Sequence, residues 1–309
     1  MCTEQKITER GDFAPLSPRL AWQLAAIHTW PASIMPVLVA VACAANVTGR
    51  LSPLLTLVLL LICILMQASV NTFNDYFDYV KGADSADDNV EASDAVLVYN
   101  QVNPRSALAL AIGFLIAAFC AGLYVIWCAG FTPLVIAAVG AVIVVAYSGG
   151  KTPLSYLPVG EAVSGIVMGG LIPLACYQVL TGRLDFIALV WAVPTIIGVG
   201  LIMMTNNTCD IEKDIEAGRR TLPVLLGRSR ARAVYRGLMV TWVAAIVAVV
   251  TIWFPRGAIV LPFMLLAAYP LMAALWKNPL APPTRIGAMG QIGSVNVALG
   301  AFYAAALFV

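Results

Sequence analysis

Nine mostly apolar stretches, each near the length of about twenty residues that lets a helix cross a bilayer, recur along the chain at 22–46, 52–74, 105–127, 131–148, 159–180, 186–206, 234–253, 258–276 and 287–308. In lipid a helix satisfies its own backbone hydrogen bonds, so each stretch reads as a transmembrane helix. The expected fold class is all-α, a polytopic membrane protein with nine transmembrane helices that pack and enclose an apolar chamber. Composition agrees, since only 11% of the residues are charged against about a quarter in soluble domains. Residues 1–21 are polar and lack both an apolar core and a small-residue cleavage site. They are expected to form a cytoplasmic tail ahead of one membrane domain, 22–309, with the first helix as its own targeting signal.

Charge placement sets the orientation. With the N-terminus inside, 15 of the 18 basic residues fall in cytoplasmic segments, leaving only Arg50, Arg183 and Arg256 outside. That asymmetry follows the positive-inside rule. Of the 16 acidic residues only Asp185 falls outside, so the chemistry is expected to open toward the cytoplasm. The seven cysteines are scattered without a CxxC pair and read as small buried hydrophobes. His28, the single histidine, reads as a packing or interfacial residue, and Pro31 and Pro36 as kinks in the first helix.

The polar residues gather in two places. NTFNDYFDYVKGADSADD, 71–88, follows an apolar segment without a neutral spacer. If it is helical, Asn71, Asn74 or Asp75, and Asp78 share one face. In Asn206 to Arg220, NNTCDIEKDIEAGRR, the residues Asn206, Asp210 and Asp214 step by four. Amide and carboxylate oxygens arrayed in this way suit Mg²⁺, and two such clusters would hold two metal ions around one polyanion. The clusters lie 132 residues apart at the ends of even-numbered helices, which reads as a weak internal duplication.

Three other segments complete the set. The polar segment 75–104 regains apolar character in SDAVLVYNQVNP and is expected to fold back over the acidic pocket. YSGGKTPLSYLPVGE, 147–161, combines freed backbone at Gly149 and Gly150 with the cation Lys151, which reads as a phosphate contact. Arg228, Arg230, Arg232 and Arg236 read as an anchor for anionic lipid.

Facing carboxylates, nearby cations and an apolar interior fit a substrate with a diphosphate head and a long apolar tail. Metal ions would neutralise the charge that develops on the leaving group. A dry chamber would shield an allylic cation until an acceptor attacks it. A secondary cation transporter also uses intramembrane Asp and Asn. It would place them near the bilayer midplane, however, and both clusters here fall at cytoplasmic helix ends.

NDYFDYVKGAD, NNTCDIEKDIEAGRRTLPVLLG and, between them, SGGKTPLSYLPVGE resemble the UbiA superfamily of intramembrane aromatic prenyltransferases. Within it the likeness is to the 1,4-dihydroxy-2-naphthoate branch of menaquinone synthesis, through Asp84, ten residues after Asn74, and the PLSYLPVGE and DIEKD segments. The resemblance implies helices around a central cavity and Mg²⁺-dependent transfer of an isoprenyl group from a polyprenyl diphosphate to an aromatic acceptor. Other acceptors in the superfamily include hydroxybenzoate, haem and lipid. Asp75, Asp78, Asp210 and Asp214 would be catalytic; Asn74, Asp78, Asp84, Asp210 and Asp214 would ligate metal. Asn71, Asn74, Tyr147, Lys151, Asn206, Arg219 and Arg220 would bind substrate. The partners implied are the two substrates and membrane lipid, with no nucleic acid, and the location implied is the inner membrane.

Overall fold

The computed structural model describes residues 13–81, 96–148 and 153–309. Helix dominates throughout, with a single isolated bridge between Ala14 and Val102 among the described residues. Seven helices are long and apolar enough to cross a membrane, and two shorter apolar ones lie at Thr132–Tyr147 and Val193–Cys209. By length alone the described residues thus carry fewer full spans than the nine apolar runs suggest. The chain forms a multi-pass membrane protein, and outward-facing residues such as Leu57, Trp127 and Val145 make it apolar where lipid would lie.

The described residues fall into two compact units, one within 1–30 and 61–122 and the other within 31–60 and 123–309. In the first, a small core of Leu24, Val96, Leu97, Val102 and Ala107 is backed by Tyr76 and Tyr79. The apolar run 22–46 is not one helix. It breaks after Pro18–Leu24, turns through Ala26 at φ 45°, and resumes as Pro31–Thr48 with Pro31 in the first turn. A left-handed alanine costs about 1–2 kcal/mol, and three side chains offset it. Asn71 Nδ2 donates to the Ala25 carbonyl at 3.0 Å and to Thr29 Oγ1 at 2.8 Å, and Trp30 Nε1 donates to the same carbonyl at 2.9 Å. Thr72 Oγ1 adds a bond to the Leu24 carbonyl at 3.2 Å.

The second unit is larger. Between lipid-immersed helices there is little hydrophobic drive, so contact depends on close packing and small residues. Gly165 and Gly169 supply it: a Cβ on Gly165 would stand 2.5 Å from the Ile196 carbonyl oxygen, and one on Gly169 2.5 Å from that of Thr195. The helix Gly160–Thr181 takes a π-helical turn there, Gly165–Leu171, and presses directly on Val193–Cys209. Tyr235, Met239, Trp242, Ile246, Leu299 and Tyr303 fill the core beside this pair.

Candidate active site

The helix Pro53–Lys81, which belongs to the first unit from Leu61 onward, runs several residues past its apolar segment, so Asn71, Asn74, Asp75 and Asp78 share one uninterrupted helix. Asn74 is exposed and Asp78 half-buried. Asp75 is buried, and its carboxylate accepts from the backbone nitrogens of Val96 at 2.7 Å and Leu97 at 3.2 Å. It therefore caps the short helix Val96–Asn100, supplying acceptors for amides that a helix start leaves without partners. Val96 and Leu97 are fully buried. Asn71 is committed to the 25–29 turn. Asp84 lies outside the described residues.

In the second unit, main-chain bonds join Asp210 N to the Asn206 carbonyl at 3.0 Å and Asp214 N to the Asp210 carbonyl at 2.8 Å. The four-residue step thus survives the kink at Asp210, where Val193–Cys209 ends and Ile211–Glu216 begins. Asp214 is buried, and Thr221 Oγ1 donates to its Oδ2 at 3.1 Å. Arg219 Nη1 stands 3.5 Å from its Oδ1. Asp210 and Asn206 are bridged by Arg285, whose Nε meets Asp210 Oδ2 at 3.1 Å and whose Nη2 meets Asn206 Oδ1 at 2.6 Å.

The loop before the helix Gly160–Thr181 docks on this motif. The Tyr156 carbonyl accepts from the Arg220 backbone nitrogen at 2.8 Å, and the Arg219 guanidinium lies 5.1 Å from the Tyr156 ring centroid. That stacking suits a weakly hydrated planar cation. The Arg220 side chain is exposed. Tyr147 lies within electrostatic reach of Glu161, Arg219 and Asp214. Lys151 lies outside the described residues.

Two buried atoms in this cluster have no hydrogen-bond partner among the described residues: Glu161 Oε2 and Arg219 Nε. The other oxygen of Glu161 accepts from Asn207 Nδ2 at 2.8 Å. Buried polar atoms are ordinarily paired; Glu161 Oε2 is an acceptor that a cation would take and Arg219 Nε a donor that an oxyanion would take. Burial pushes the Asp214 carboxyl up to about 6 despite the opposing effects of Arg219 and Thr221; Asp210 and Glu161 add to the rise. A divalent cation would relieve that crowding. Among the described residues no group of three or more Asp, Glu, His or Cys already converges on one metal position. The donors are nonetheless hard oxygens of the kind Mg²⁺ takes.

A family profile described as the UbiA prenyltransferase family matches residues 33–286. The chain belongs to the UbiA prenyltransferase family. This UbiA-family protein is therefore an enzyme, a prenyltransferase of the membrane. It is 34% identical over 235 residues to the 1,4-dihydroxy-2-naphthoate octaprenyltransferase of Bacillus subtilis, a match covering 76% of this chain and 72% of that one. To the UbiA prenyltransferase domain-containing protein 1 of Gallus gallus it is 27% identical, over 75% of this chain and 69% of that one. Its fold is similar to that of a UbiA homologue from Archaeoglobus fulgidus solved with GPP and Mg²⁺, with a TM-score of 0.64 at 16% identity over 94% of this chain and 100% of that one.

Three residues of this UbiA-family site escape the motif reading. Glu161 closes the quoted PVGE segment and Asn207 is the second half of the Asn pair, but neither has a ligand-like step in the sequence. Arg285 reads only as a topogenic charge. Within the basic run, Arg228 makes two 2.7 Å contacts to Glu212 and its Nε donates to the Leu280 carbonyl at 2.9 Å, while Arg236 binds the Trp276 carbonyl. Those two arginines tie protein segments together.

Proposed function

We propose that the enzyme transfers an isoprenyl group from an allylic polyprenyl diphosphate to 1,4-dihydroxy-2-naphthoate, with Mg²⁺ as cofactor. The observation that carries this reading is the pair of orphan buried atoms, Glu161 Oε2 and Arg219 Nε, beside the raised carboxyl of Asp214. A cation would complete the acceptor and an oxyanion the donor, and both residues act electrostatically on Asp214. The naphthoate acceptor is supported by the Bacillus subtilis relative.

Bound Mg²⁺ would supply charge neutralisation at the diphosphate oxygens. Asn206, Asp210 and Asp214 would hold one ion, and Asn74 and Asp78 of the first motif, with Asp84 beyond it, would hold another. Arg219 and Lys151 donate to the diphosphate, with Arg220 and Tyr147 in support. The allylic C–O bond breaks, and the diphosphate leaves with the electron pair. A new C–C bond forms to the aromatic carbon, which sheds its carboxylate as carbon dioxide. Asp75 and Asn71 act by positioning, since their polar atoms already hold the polypeptide. The excess of basic residues on one side supports a cytoplasmic face for the site and insertion in the inner membrane.

The test is to incubate purified protein with Mg²⁺, labelled prenyl diphosphates and a panel of aromatic acceptors, and to identify lipid products by mass. A prenylated, decarboxylated naphthol is expected. Product from hydroxybenzoate alone would replace the acceptor. Full turnover by both Asp78→Ala and Asp210→Ala would remove the reading altogether.

A further inference from the structure

Arg285 stands where its own helix disfavours it. It is the first residue of Arg285–Phe308, at the positive end of that helix, where a cation is repelled by the aligned peptide dipoles. The position is built with care. Thr284 Oγ1 donates to Asn278 Oδ1 at 3.0 Å, and Asn278 Nδ2 donates to Gln291 Oε1 at 2.9 Å. Leu280 sits at φ 50° and lends its carbonyl to Arg228. This braced turn aims the guanidinium at the other end of a different helix, Val193–Cys209, where cations are favoured.

There it takes Asp210 Oδ2 and Asn206 Oδ1 at the same time. Both side chains of the ion pair are largely buried, at 11% exposure for Arg285 and 18% for Asp210. A divalent cation would need these oxygens, and a guanidinium and a metal ion cannot both occupy them. Displacing a buried guanidinium without giving it a new acceptor is costly. A diphosphate brings such acceptors, and guanidinium binds phosphate oxygens well.

We propose that Arg285 is a positioning residue that serves as a resident counter-ion for Asn206 and Asp210, competes with the divalent cation for them, and moves to the diphosphate when the two arrive together. The inference rests on the metal and diphosphate roles assigned above. Metal loading in this enzyme is then conditional on diphosphate, which keeps the second motif closed to bare cations.

The test uses the full chain in detergent. Binding of Mn²⁺ alone is followed by loss of the free-ion paramagnetic resonance signal, and retention of labelled inorganic pyrophosphate is measured at saturating Mn²⁺. Arg285→Gln is expected to bind Mn²⁺ alone at least about fivefold more tightly than wild type, and to hold pyrophosphate at least about fivefold more weakly. A merely structural arginine would move both affinities the same way or neither. Unchanged or weaker Mn²⁺ binding in Arg285→Gln overturns the proposal. Should that variant fail to fold, Arg285→Lys decides. A lysine keeps the charge but cannot span both oxygens, so the same two changes of smaller size are expected, and Mn²⁺ binding equal to wild type overturns the proposal. If wild type itself binds neither Mn²⁺ nor pyrophosphate, the underlying metal and diphosphate assignment fails instead.

Discussion

Asn207 donates a 2.8 Å hydrogen bond to Glu161, and both residues are buried. The bond exists because glycines let two helices approach closely enough for an amide on one to reach a carboxylate on the other. Glu161 also lies in the first turn of its helix, where the peptide dipoles favour an acid.

Asn207→Ala removes the donor and leaves a buried carboxylate with one partner fewer, which costs about 1–3 kcal/mol. Thermal unfolding in detergent should shift downward accordingly. Glu161→Gln retains an acceptor for Asn207, so its unfolding temperature should stay near wild type. It removes the orphan anionic oxygen, and kcat/KM for prenyl transfer should fall by about tenfold or more.

Asp75 is expected to act on the backbone of 96–100. Asp75→Ala deprives Val96 and Leu97 of their cap and should cost about 1–3 kcal/mol. Amide hydrogen exchange should accelerate at those two positions, while Asp75→Asn, with one acceptor left, should fall between. Unchanged protection at Val96 and Leu97 would mean that the carboxylate does not hold this helix.

Gly169→Ala places a Cβ 2.5 Å from the Thr195 carbonyl oxygen and 2.6 Å from the Ile196 Cα. Forcing these helices apart should cost about 1–3 kcal/mol and lower the yield of folded protein. Gly113→Ala serves as the control, since a Cβ there meets nothing within 4 Å. Equal melting temperatures for the two variants would remove the close approach as a determinant of stability.

The Asp214 carboxyl, raised from 3.8 to about 6 by burial above all, gives two pH effects of defined sign. The folded metal-free protein keeps a proton that the unfolded chain releases. Stability from this group is therefore fully present below pH 3.8 and is lost as pH rises through about 6. Proton and metal compete for the same oxygens, so Mn²⁺ affinity should decline as pH falls through about 6. A titration of Mn²⁺ binding between about pH 5 and 8 in the Arg285→Gln background, where the motif is open to the bare ion, checks this, and adding Asp214→Asn should flatten the profile.

Much of this fold is legible in periodicity and charge. Apolar runs mark most of the helices, and the step of four from Asn206 to Asp214 persists in the main-chain bonds. The break at 25–30 is not legible, because the apolar run continues through it and the cause lies in Asn71 and Thr72, more than forty residues away. The kink within Leu222–Trp253, at Gly227 with φ 73°, is likewise marked only by a glycine among helix formers. Single-residue contributors stay hidden for the same reason: Glu161 and Arg285 acquire meaning from partners that no local spacing brings together.

The bond from Arg285 to Asp210 spans 75 residues of sequence, which bears on how the protein is made. A ribosome that has finished the second acidic motif must still translate the helices ending at Trp253 and Lys277 before this counter-charge exists. Until then the nascent chain carries an acid at a helix end without the arginine that neutralises it in the finished protein. Completion of the last helix thus sets the moment at which the motif acquires its mature charge state, and a transcript cut short before Arg285 encodes a protein that never reaches it.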